Sequence, residues 1–295
     1  MYSLHPPAFA YCSNIGLGNP SLTCGTVLTN AVGASNADGS AVAIGSALTF
    51  DCEFLEIIVS SANNGSASSV TAEDNAALLD ILIDPAGGTS WDTTNRLIQS
   101  LMIGCMPTPP ATGNVPGRCW GFPLWIPAGA TFAGIGRTVR GAALSPTVFL
   151  RAWGGIRHPQ HYWCGQKVDA VGEDRANSGG TAVTPSGTAN TFGTITSVGS
   201  VTARRYGAIV PSFTQSTSTQ NGQNRQAKIH ISSTQVGPTI NYHEISTEIS
   251  SGPVEGKWPL IYCDVPEGTQ LQAQIATGST AANSASEVII HGVSA

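Results

Sequence analysis

The chain has 295 residues, of which 41% are hydrophobic and only 11% are charged, and its formal net charge at pH 7 is −5. This length lies near the size at which one hydrophobic core splits into two, so we expect two domains. The charged fraction is less than half the share of about 25% that is typical of globular proteins, no basic stripe of the kind that binds nucleic acid is visible, and no apolar run approaches the roughly 18 residues of a membrane span.

The N-terminal segment, MYSLHPPAFAYCSNIGLGNPS, lacks the cationic start and the apolar core of a secretory signal. Pro6 and Pro7 favour an extended, polyproline-like path, because proline has a fixed φ and no backbone donor for a central strand. We predict that residues 1–24 form an extended arm that crosses a neighbouring subunit. The candidate contact residues in this arm are Pro6, Pro7 and Tyr11.

The acidic residues are concentrated in the first third of the chain. Nine of them precede Arg96, which is the first basic residue, so the first 95 residues carry a charge of −9 and the rest of the chain +4. This pattern indicates either a solvated acidic face or an acidic surface that docks on a basic partner.

Turn-forming residues are frequent, with 34 glycines and 18 prolines, which favours an all-β fold with few helices. The exception is TAEDNAALLDIL, where Thr71 could cap a helix and Asp74 follows three residues later. We predict at most one short helical turn there, because the second half of this segment reads as a strand.

One corner occurs twice in the chain, as FPLWIPAGATFAGI and as WPLIYCDVPEGTQLQAQI. In each copy an apolar run leads into Pro-x-Gly, which is a turn signal, and an alternating strand follows. Aligning Pro127 with Pro266 places VFLRAW beside VIIHGV further on. Upstream, Ile81 falls on Ile229, and Leu97 falls on Ile245 without a gap.

Each half shows the two-residue alternation of half-buried strands, for example in NYHEISTEIS. Four corresponding segments in the same order indicate a duplicated domain. We therefore predict an all-β protein of two tandem, duplicated, jelly-roll-like β-sandwich domains with an extended N-terminal arm. The arm spans 1–24, the first sandwich 25–157, a flexible Gly- and Ser-rich connector 158–190, and the second sandwich 191–295.

Catalytic signatures are absent from the sequence, which contains no phosphate loop, GxSxG elbow, HExxH or EF-hand loop. Glu244 and Glu248 are the best-placed carboxylate pair, but at a strand rise of about 3.3 Å per residue they lie about 13 Å apart, further than the carboxylates of glycosidases. Their counterparts in the first half are Arg96 and Ser100, so the pair is not duplicated. We expect a protein without enzymatic activity and without a cofactor.

The stretch RHPQHYWCG is the most unusual local cluster. His158, His161 and Cys164 follow one another at three-residue spacing and could ligate zinc, although a structural site needs a fourth ligand and normally paired cysteines. The neighbouring Tyr162 and Trp163 favour another interpretation, an ordered aromatic plug or a subunit contact. Candidate interface residues here are His158, His161, Tyr162 and Trp163.

Seven cysteines without a CxxC pair or an export signal indicate free thiols in a protein made in a reducing cytoplasm. The tryptophans that flank the strands are expected to be core or rim residues, with sugar-stacking platforms as the alternative; they are Trp120, Trp125, Trp153 and Trp258.

The corner PLWIPAGATFAGIG with VFLRAW, and again PLIYCDVPEGTQLQAQI with VIIHG, resembles β-sandwich proteins of tailed-bacteriophage virions. The resemblance covers about two thirds of the chain, and the second corner departs from it through the inserted Cys263 and Asp264. It implies a head-decoration, tail or fibre component that assembles with other virion proteins and with copies of itself. It also implies that the protein is made in the host cytoplasm and is located in the virion.

The sequence thus predicts a virion structural protein that acts through assembly contacts. The alternative is a carbohydrate-binding module or a glycan depolymerase with a receptor-binding role, which the tryptophans and the polar, weakly charged surface would suit. A host-surface glycan is accordingly a second possible partner.

Overall fold

The structure is a computed structural model that describes residues 9–18, 25–28, 32–33, 36–63, 76–94, 96–104, 118–140, 145–155, 163–176, 179–215, 225–233, 242–248, 258–277 and 285–295. In these ranges every regular element is a β-strand, which confirms the all-β prediction. The described part of the chain has no helix with the length and apolarity needed to cross a membrane.

Ten strands lie in the first half of the chain: β1 Tyr11–Ile15, β2 Thr26–Val27, β3 Val32–Gly33, β4 Val42–Ile44, β5 Phe54–Asn63, β6 Ala76–Asp84, β7 Ile98–Gly104, β8 Arg118–Phe122, β9 Thr131–Arg140 and β10 Ser145–Gly154. Nine lie in the second half: β11 Lys167–Val171, β12 Thr181–Val183, β13 Thr196–Ser197, β14 Tyr206–Gln215, β15 Arg225–Ser233, β16 Tyr242–Glu248, β17 Ile261–Val265, β18 Leu271–Thr277 and β19 Ser286–Ser294.

These strands form three sheets. The first outer sheet has the order β1-β10-β5-β8, with β2 also on β10, and the second outer sheet has the order β13-β18-β15-β16. The third, which we call the shared sheet, has ten strands in the order β17-β14-β19-β11-β7-β6-β9-β3, with β12 on β19 and β4 on β9. One continuous hydrophobic core takes residues from all three sheets, as expected for sheets packed face to face.

The two halves of the chain pair their strands in the same order. In the first unit, β1 to β10, the two layers read β8-β5-β10-β1 and β7-β6-β9-β4; in the second unit, β11 to β19, they read β17-β14-β19-β11 and β16-β15-β18-β13. The strand β2 pairs with β10 as β12 pairs with β19, and only β3 lacks a counterpart among the described strands. This agreement is what a duplicated jelly roll requires, whereas the duplication itself stays a prediction.

The repeated Pro-x-Gly corner is held in the same way in both units. The Gly129 N–H donates to Leu48 O and the Gly268 N–H donates to Thr202 O, each at 2.8 Å. Both glycines have a positive φ, 89° and 77°, which a residue with a Cβ adopts only with strain. The corner recurs because each of these turns docks on the chain between the equivalent strands β4 and β5, or β13 and β14.

A second matching corner was not visible in the sequence. The Thr26 hydroxyl donates to Gly16 O at 3.0 Å, and the Thr181 hydroxyl donates to Gly172 O at 3.1 Å. Gly16 and Gly172 both have a positive φ, 74° and 89°. Each unit therefore ends its first strand, β1 or β11, with the same glycine and threonine pair.

The gapless alignment of the β6–β7 hairpin is off by two residues around Ile98. In the structure Ile81 pairs with Ile98, whereas Ile229, its match in the second unit, pairs with Glu244. Without a gap Ile98 would fall on Ser246, which is two residues beyond Glu244. Beyond the bulge between Leu79 and Ile81 the offset is three residues, since Leu79 pairs with Leu101 whereas its match Ala227 pairs with Ser246. A shift of two residues keeps side chains on their face of the sheet, so the hydrophobic pattern could not reveal the shift around Ile98.

The predicted arm and connector differ from the structure. Residues Tyr11–Ile15, assigned to an extended arm, form β1 and pair with β10, so the prediction of an arm that leaves its own domain is wrong for them. Lys167–Val171 and Thr181–Val183, assigned to a flexible connector, pair with β19 inside the shared sheet. Their composition resembled a linker because these strands are short and Gly-rich turns flank them. Pro6 and Pro7 lie outside the described residues.

The predicted helical turn stays a prediction. Thr71 and Asp74 lie outside the described residues, and the segment that follows is strand from Ala76 onwards. Leu79 and Ile81 of this strand face the main core, while Leu78 and Leu82 pack in separate clusters on the other face. Burial on both faces produces the continuous apolar run that had looked partly helical.

Candidate functional site

The two units meet where β7 of the first runs parallel to β11 of the second, a contact that we call the seam. Val168 pairs with Ile98, and the Val168 N–H donates to Leu97 O at 2.9 Å. A second contact lies beside it, where the Trp125 N–H donates to Gly165 O at 2.9 Å. Backbone hydrogen bonds therefore join the units into one sheet.

A buried ion cluster lies beside the seam. Arg175, in the loop between β11 and β12, binds both carboxylate oxygens of Asp80 on β6, each at 3.1 Å. The Asp80 side chain is fully buried, and Arg96 also reaches it at 3.1 Å. A carboxylate without solvent needs such compensation, because an uncompensated buried charge costs several kcal/mol.

Asp38 adds a second carboxylate to this cluster. It accepts from Arg137 at 2.7 Å, from Arg96 at 2.7 Å and from Arg175 at 3.0 Å. Burial alone would raise the pKa of Asp38, but the hydrogen bond from Arg137 and the charges of the three arginines hold its pKa below the ordinary value. Three cations and two carboxylates thus bind one another across the two units.

Ser100, on β7, is the strained member of the cluster. Its φ of 53° lies in the left-handed region, which is unfavourable for a side chain with a Cβ. Its N–H donates to Asp80 at 2.7 Å, and its hydroxyl accepts from Arg175 at 2.9 Å and donates to Glu173. The loop that carries Glu173 and Arg175 therefore binds the strained residue of β7 twice, because Arg175 donates to the Ser100 hydroxyl and Glu173 accepts from it.

His291 connects the same turn of β7 to the middle of the second unit. Its ring is completely buried, with Nε2 at 3.3 Å from Ser100 O and Nδ1 at 3.3 Å from Val210 O. Burial lowers the pKa of His291 to about 4, against the weaker opposing effect of the backbone carbonyls. A neutral imidazole has one N–H, so at neutral pH it donates to one of these two carbonyls.

These contacts suit the seam to a structural task. The carboxylates that could act as acids or bases are bound by arginines, and the described residues contain no group of three or more His, Cys, Asp or Glu side chains that could hold a metal ion. What the cluster does chemically is to fix the β11–β12 loop on the first unit. It therefore restrains motion of one unit against the other.

The outward face of the first outer sheet carries a second polar group. Glu56 on β5 accepts from the indole N–H of Trp153 at 3.1 Å and lies 3.5 Å from Arg151. Arg151 also donates to Asn14 on β1 at 3.1 Å, and its guanidinium lies 6.0 Å from the centre of the Trp153 ring. Phe9 packs on the same ring, so neighbouring side chains already occupy the surroundings of this tryptophan.

Two of the predicted interface residues can be placed in the structure. Tyr11 is 57% exposed and its ring lies 5.6 Å from that of Phe50. Trp163 is half-buried and its ring covers Gly207 of β14, where a Cβ would meet the indole. His158, His161 and Tyr162 lie outside the described residues.

The third predicted zinc ligand, Cys164, donates its thiol to Glu53 O at 3.2 Å. Burial raises its pKa to about 12, which disfavours the thiolate that a metal needs. The five described cysteines are free thiols: Cys12, Cys52, Cys119, Cys164 and Cys263.

The tryptophans divide into two groups. Trp120 and Trp258 are buried in the core, where Trp258 lies edge-on to Phe213 with 5.5 Å between the ring centres. Trp125 is 50% exposed, near the seam.

Glu244 and Glu248 are both on β16, where they pair with Ile229 and Arg225.

An open depression of about 660 Å³ lies in the loop between β12 and β13. It is lined by hydroxyl side chains, glycines and one aromatic ring and by no ionisable side chain; the lining residues are Thr184, Pro185, Ser186, Gly187, Phe192, Gly193, Thr194 and Thr196. The loop is fixed on β18, since the Gly193 N–H donates to Ile275 O at 3.0 Å and Gln274 donates to Gly193 O at 2.8 Å.

No protein-family model matches the chain, and no curated protein matches it. Among solved structures, the chain is similar to PNGF-II in space group P21, at 10% identity and a TM-score of 0.36, over 99% of this chain and 63% of that one. It is also similar to PNGF-II in space group C2, at 8% identity and a TM-score of 0.35, over 86% of this chain and 58% of that one. The chain thus spans less than two thirds of the length of these structures, and both TM-scores are too low to indicate a common fold.

Proposed function

We propose that the protein is a structural subunit of a virus particle, which acts through contacts with copies of itself and with other virion proteins. One observation carries the proposal: strands β1 to β10 and strands β11 to β19 pair in the same, jelly-roll-like order, and the seam joins the two sets into one sheet. Jelly rolls are a recurrent fold of viral capsid proteins and of lectins. This link is an analogy at the level of the fold.

The seam supports an assembly role better than a catalytic one. An active site that lies between two domains commonly needs a cleft that opens. Here backbone hydrogen bonds and the cluster around Asp80 and Arg175 close the junction instead. A particle subunit must instead keep a fixed shape while its surfaces contact neighbours. The low charge of the chain suits close packing of many copies, because like charges then repel little.

Purified protein should form ordered assemblies. We expect light scattering after size-exclusion chromatography to give a mass several times that of one chain, and negative-stain electron microscopy to show regular particles or arrays. A protein that stays monomeric over a wide range of concentration and ionic strength would contradict the proposal.

The depression between β12 and β13 favours a second candidate function, the binding of a neutral saccharide. Phe192 could stack on the apolar face of a sugar ring while the surrounding hydroxyl and backbone groups bind its hydroxyls. An array of neutral and acidic oligosaccharides tests this. Binding of neutral members that is lost in Phe192→Ala but kept in Val201→Ala, a change at another exposed apolar residue, would favour it, and an array without binding would exclude it.

A further inference from the structure

We infer that the chain assembles head to tail, with β16 of one copy pairing in parallel with β1 of the next and so repeating the seam between molecules. This inference rests on the proposed assembly role and names the surfaces that carry it. The partner is a second copy of this chain.

The strand order of the two units leads to this surface. At the seam, β7 of the first unit contacts β11 of the second. The counterpart of β7 in the second unit is β16, and the counterpart of β11 in the first unit is β1. The seam therefore uses one member of each equivalent pair and leaves the other member at an edge.

Both remaining strands are edges in the described structure. The order of the second outer sheet ends at β16, which pairs only with β15, and the order of the first outer sheet ends at β1, which pairs only with β10. The outward residues of β1, Cys12 and Asn14, are exposed. An exposed edge presents backbone donors and acceptors that another strand can bind.

The backbone N–H and C=O groups of β1 are oriented toward β10 in the same way as those of β11 are oriented toward β19. The Ala10 N–H donates to Gly154 O, as the Gln166 N–H donates to Ser294 O at the equivalent place. Trp153, the next residue on β10, directs its carbonyl to Glu53 on the side of β5.

Cys12 is the partner of Trp153 across β1 and β10. In an antiparallel pair both residues of a non-hydrogen-bonded position direct their backbone groups away from each other. The N–H of Cys12 therefore points to the free edge, as the N–H of its counterpart Val168 points to Leu97 across the seam.

This equivalence gives the register of the intermolecular contact. Val168 pairs with Ile98, and Ile98 corresponds to Glu244 when Ile81 is placed on Ile229. We therefore expect Cys12 of one copy to lie beside Glu244 of the next.

The ion cluster of the seam is not repeated between copies. Lys228 occupies the position on β15 that Asp80 occupies on β6, if Ile229 is equivalent to Ile81. Without a buried carboxylate to bind an arginine, the contact between copies is expected to be weaker than the seam and concentration-dependent. Because it joins two different surfaces, it is heterologous and generates a closed ring or an open filament.

Cross-linking tests the register. The variant Glu244→Cys, treated with a short bis-maleimide, should give a ladder of covalent oligomers on a denaturing gel, and mass spectrometry should identify the peptide that joins Cys12 to position 244. The ladder should disappear when Cys12→Ser is added. The control Asp264→Cys, on the opposite edge strand β17, should give no link to Cys12.

A proline on the free edge tests the hydrogen bond. Cys12→Pro removes the N–H that points away from β10, while Cys12→Ala keeps it and removes only the thiol. We expect Cys12→Pro to lower the assembled fraction at least tenfold in sedimentation velocity, with a melting temperature close to that of Cys12→Ala.

The outcomes separate this inference from the proposed function. Assemblies that form equally in Cys12→Pro and Cys12→Ala, together with no link between Cys12 and position 244, would overturn the head-to-tail contact and leave the structural role intact. A wild-type protein that never assembles would overturn both.

Discussion

Val168 donates its N–H to the carbonyl oxygen of Leu97 at 2.9 Å, and at this bond the sheets of the two units become one. It is a parallel contact of a single registered pair in a sheet of otherwise mostly antiparallel pairs. So short a contact cannot fix the units alone. The contacts of Arg175 and His291 with the turn of β7 explain how the junction is held.

Arg175 gives the first prediction. Arg175→Ala leaves the buried carboxylate of Asp80 with Arg96 as its remaining arginine. Leaving a buried charge uncompensated costs about 3 kcal/mol or more, so with Arg96 in place this variant should lower the unfolding free energy by up to about 3 kcal/mol. Arg175→Lys, which keeps the charge but loses the two-pronged contact, should cost less. Urea unfolding measures both.

The matched control is Arg205→Ala. Arg205 forms an ion pair with Asp264 in which both side chains are well exposed, 72% and 62%. Its loss should leave the unfolding free energy unchanged within error. Equal effects of the two alanine variants would refute a special role for the seam cluster.

His291 gives a prediction about acid. The unfolded chain binds a proton at this residue near pH 6.5, whereas the folded chain resists it until about pH 4. The free energy of unfolding should therefore fall as the pH drops from 6.5 to 4, by up to about 1.4 kcal/mol per pH unit, and this loss is complete below pH 4.

Comparison with His291→Gln isolates this contribution, because the other five histidines and the carboxylates titrate in both proteins. The stability of the variant should depend less on pH between 6.5 and 4. Asp38, whose pKa is lowered by its arginines, adds its own loss only at more acidic pH, below its ordinary value of 3.8. Parallel stability curves of wild type and variant would contradict the lowered pKa of His291 in the folded chain.

The glycines of the matching corners should differ in their sensitivity. Gly129→Ala and Gly268→Ala introduce only backbone strain, about 1 kcal/mol, since a Cβ at either position meets no atom within 4 Å. Gly16→Ala adds a clash with the Thr26 hydroxyl oxygen at 2.7 Å, and Gly172→Ala one with Val198, so each should cost about 3 kcal/mol.

Thermal unfolding of the four variants tests this order. The expected result is two pairs, one member from each unit, with the larger loss of melting temperature at Gly16 and Gly172. A loss that groups the variants by unit instead of by corner would contradict the structural equivalence of the two halves.

The thiols should react in an order that follows burial. Burial raises the pKa of Cys52, Cys164 and Cys263 to about 12, so at pH 8 roughly one molecule in 10⁴ carries the thiolate at each site. Cys12 is exposed and its pKa is raised less. Pulse labelling with N-ethylmaleimide and peptide mass spectrometry should find Cys12 modified first among the five described cysteines, and rapid labelling of Cys52 would contradict the fold around it.

The sequence predicted the parts of the fold that depend on local pattern. Alternation identified the strands, and the turn chemistry of Pro127 and Pro266 identified the repeated corner, because both signals lie within a few neighbouring residues. The short strands β1, β11 and β12 were missed, since strands of three to five residues next to glycine-rich turns look like a linker. Their pairing with β10 and β19 comes from contacts far along the chain.

The seam cluster could not be predicted for the same reason. Asp80 and Arg175 are 95 residues apart, and no motif links them. One weak signal existed, a carboxylate at Asp80 in the middle of the apolar run AALLDILI. A charge in such a run must find a partner, and the search for one would have led to the arginines.

The closing strands of the two units impose an order on synthesis and folding. Tyr11 must wait for Gly154, 143 residues further along, and Lys167 must wait for Ser294, 127 residues further along. Chains whose pairings are so distant fold slowly, in about milliseconds to seconds, because the loop between the partners must close first. The first unit has all its described strands once β10 has left the ribosome. The strands β11 and β12 emerge next, and they lack their partner β19 until the end of the chain has been made. During that interval the growing chain exposes strand edges that another nascent copy could capture, which makes exchange of β19 between chains the characteristic error of this architecture.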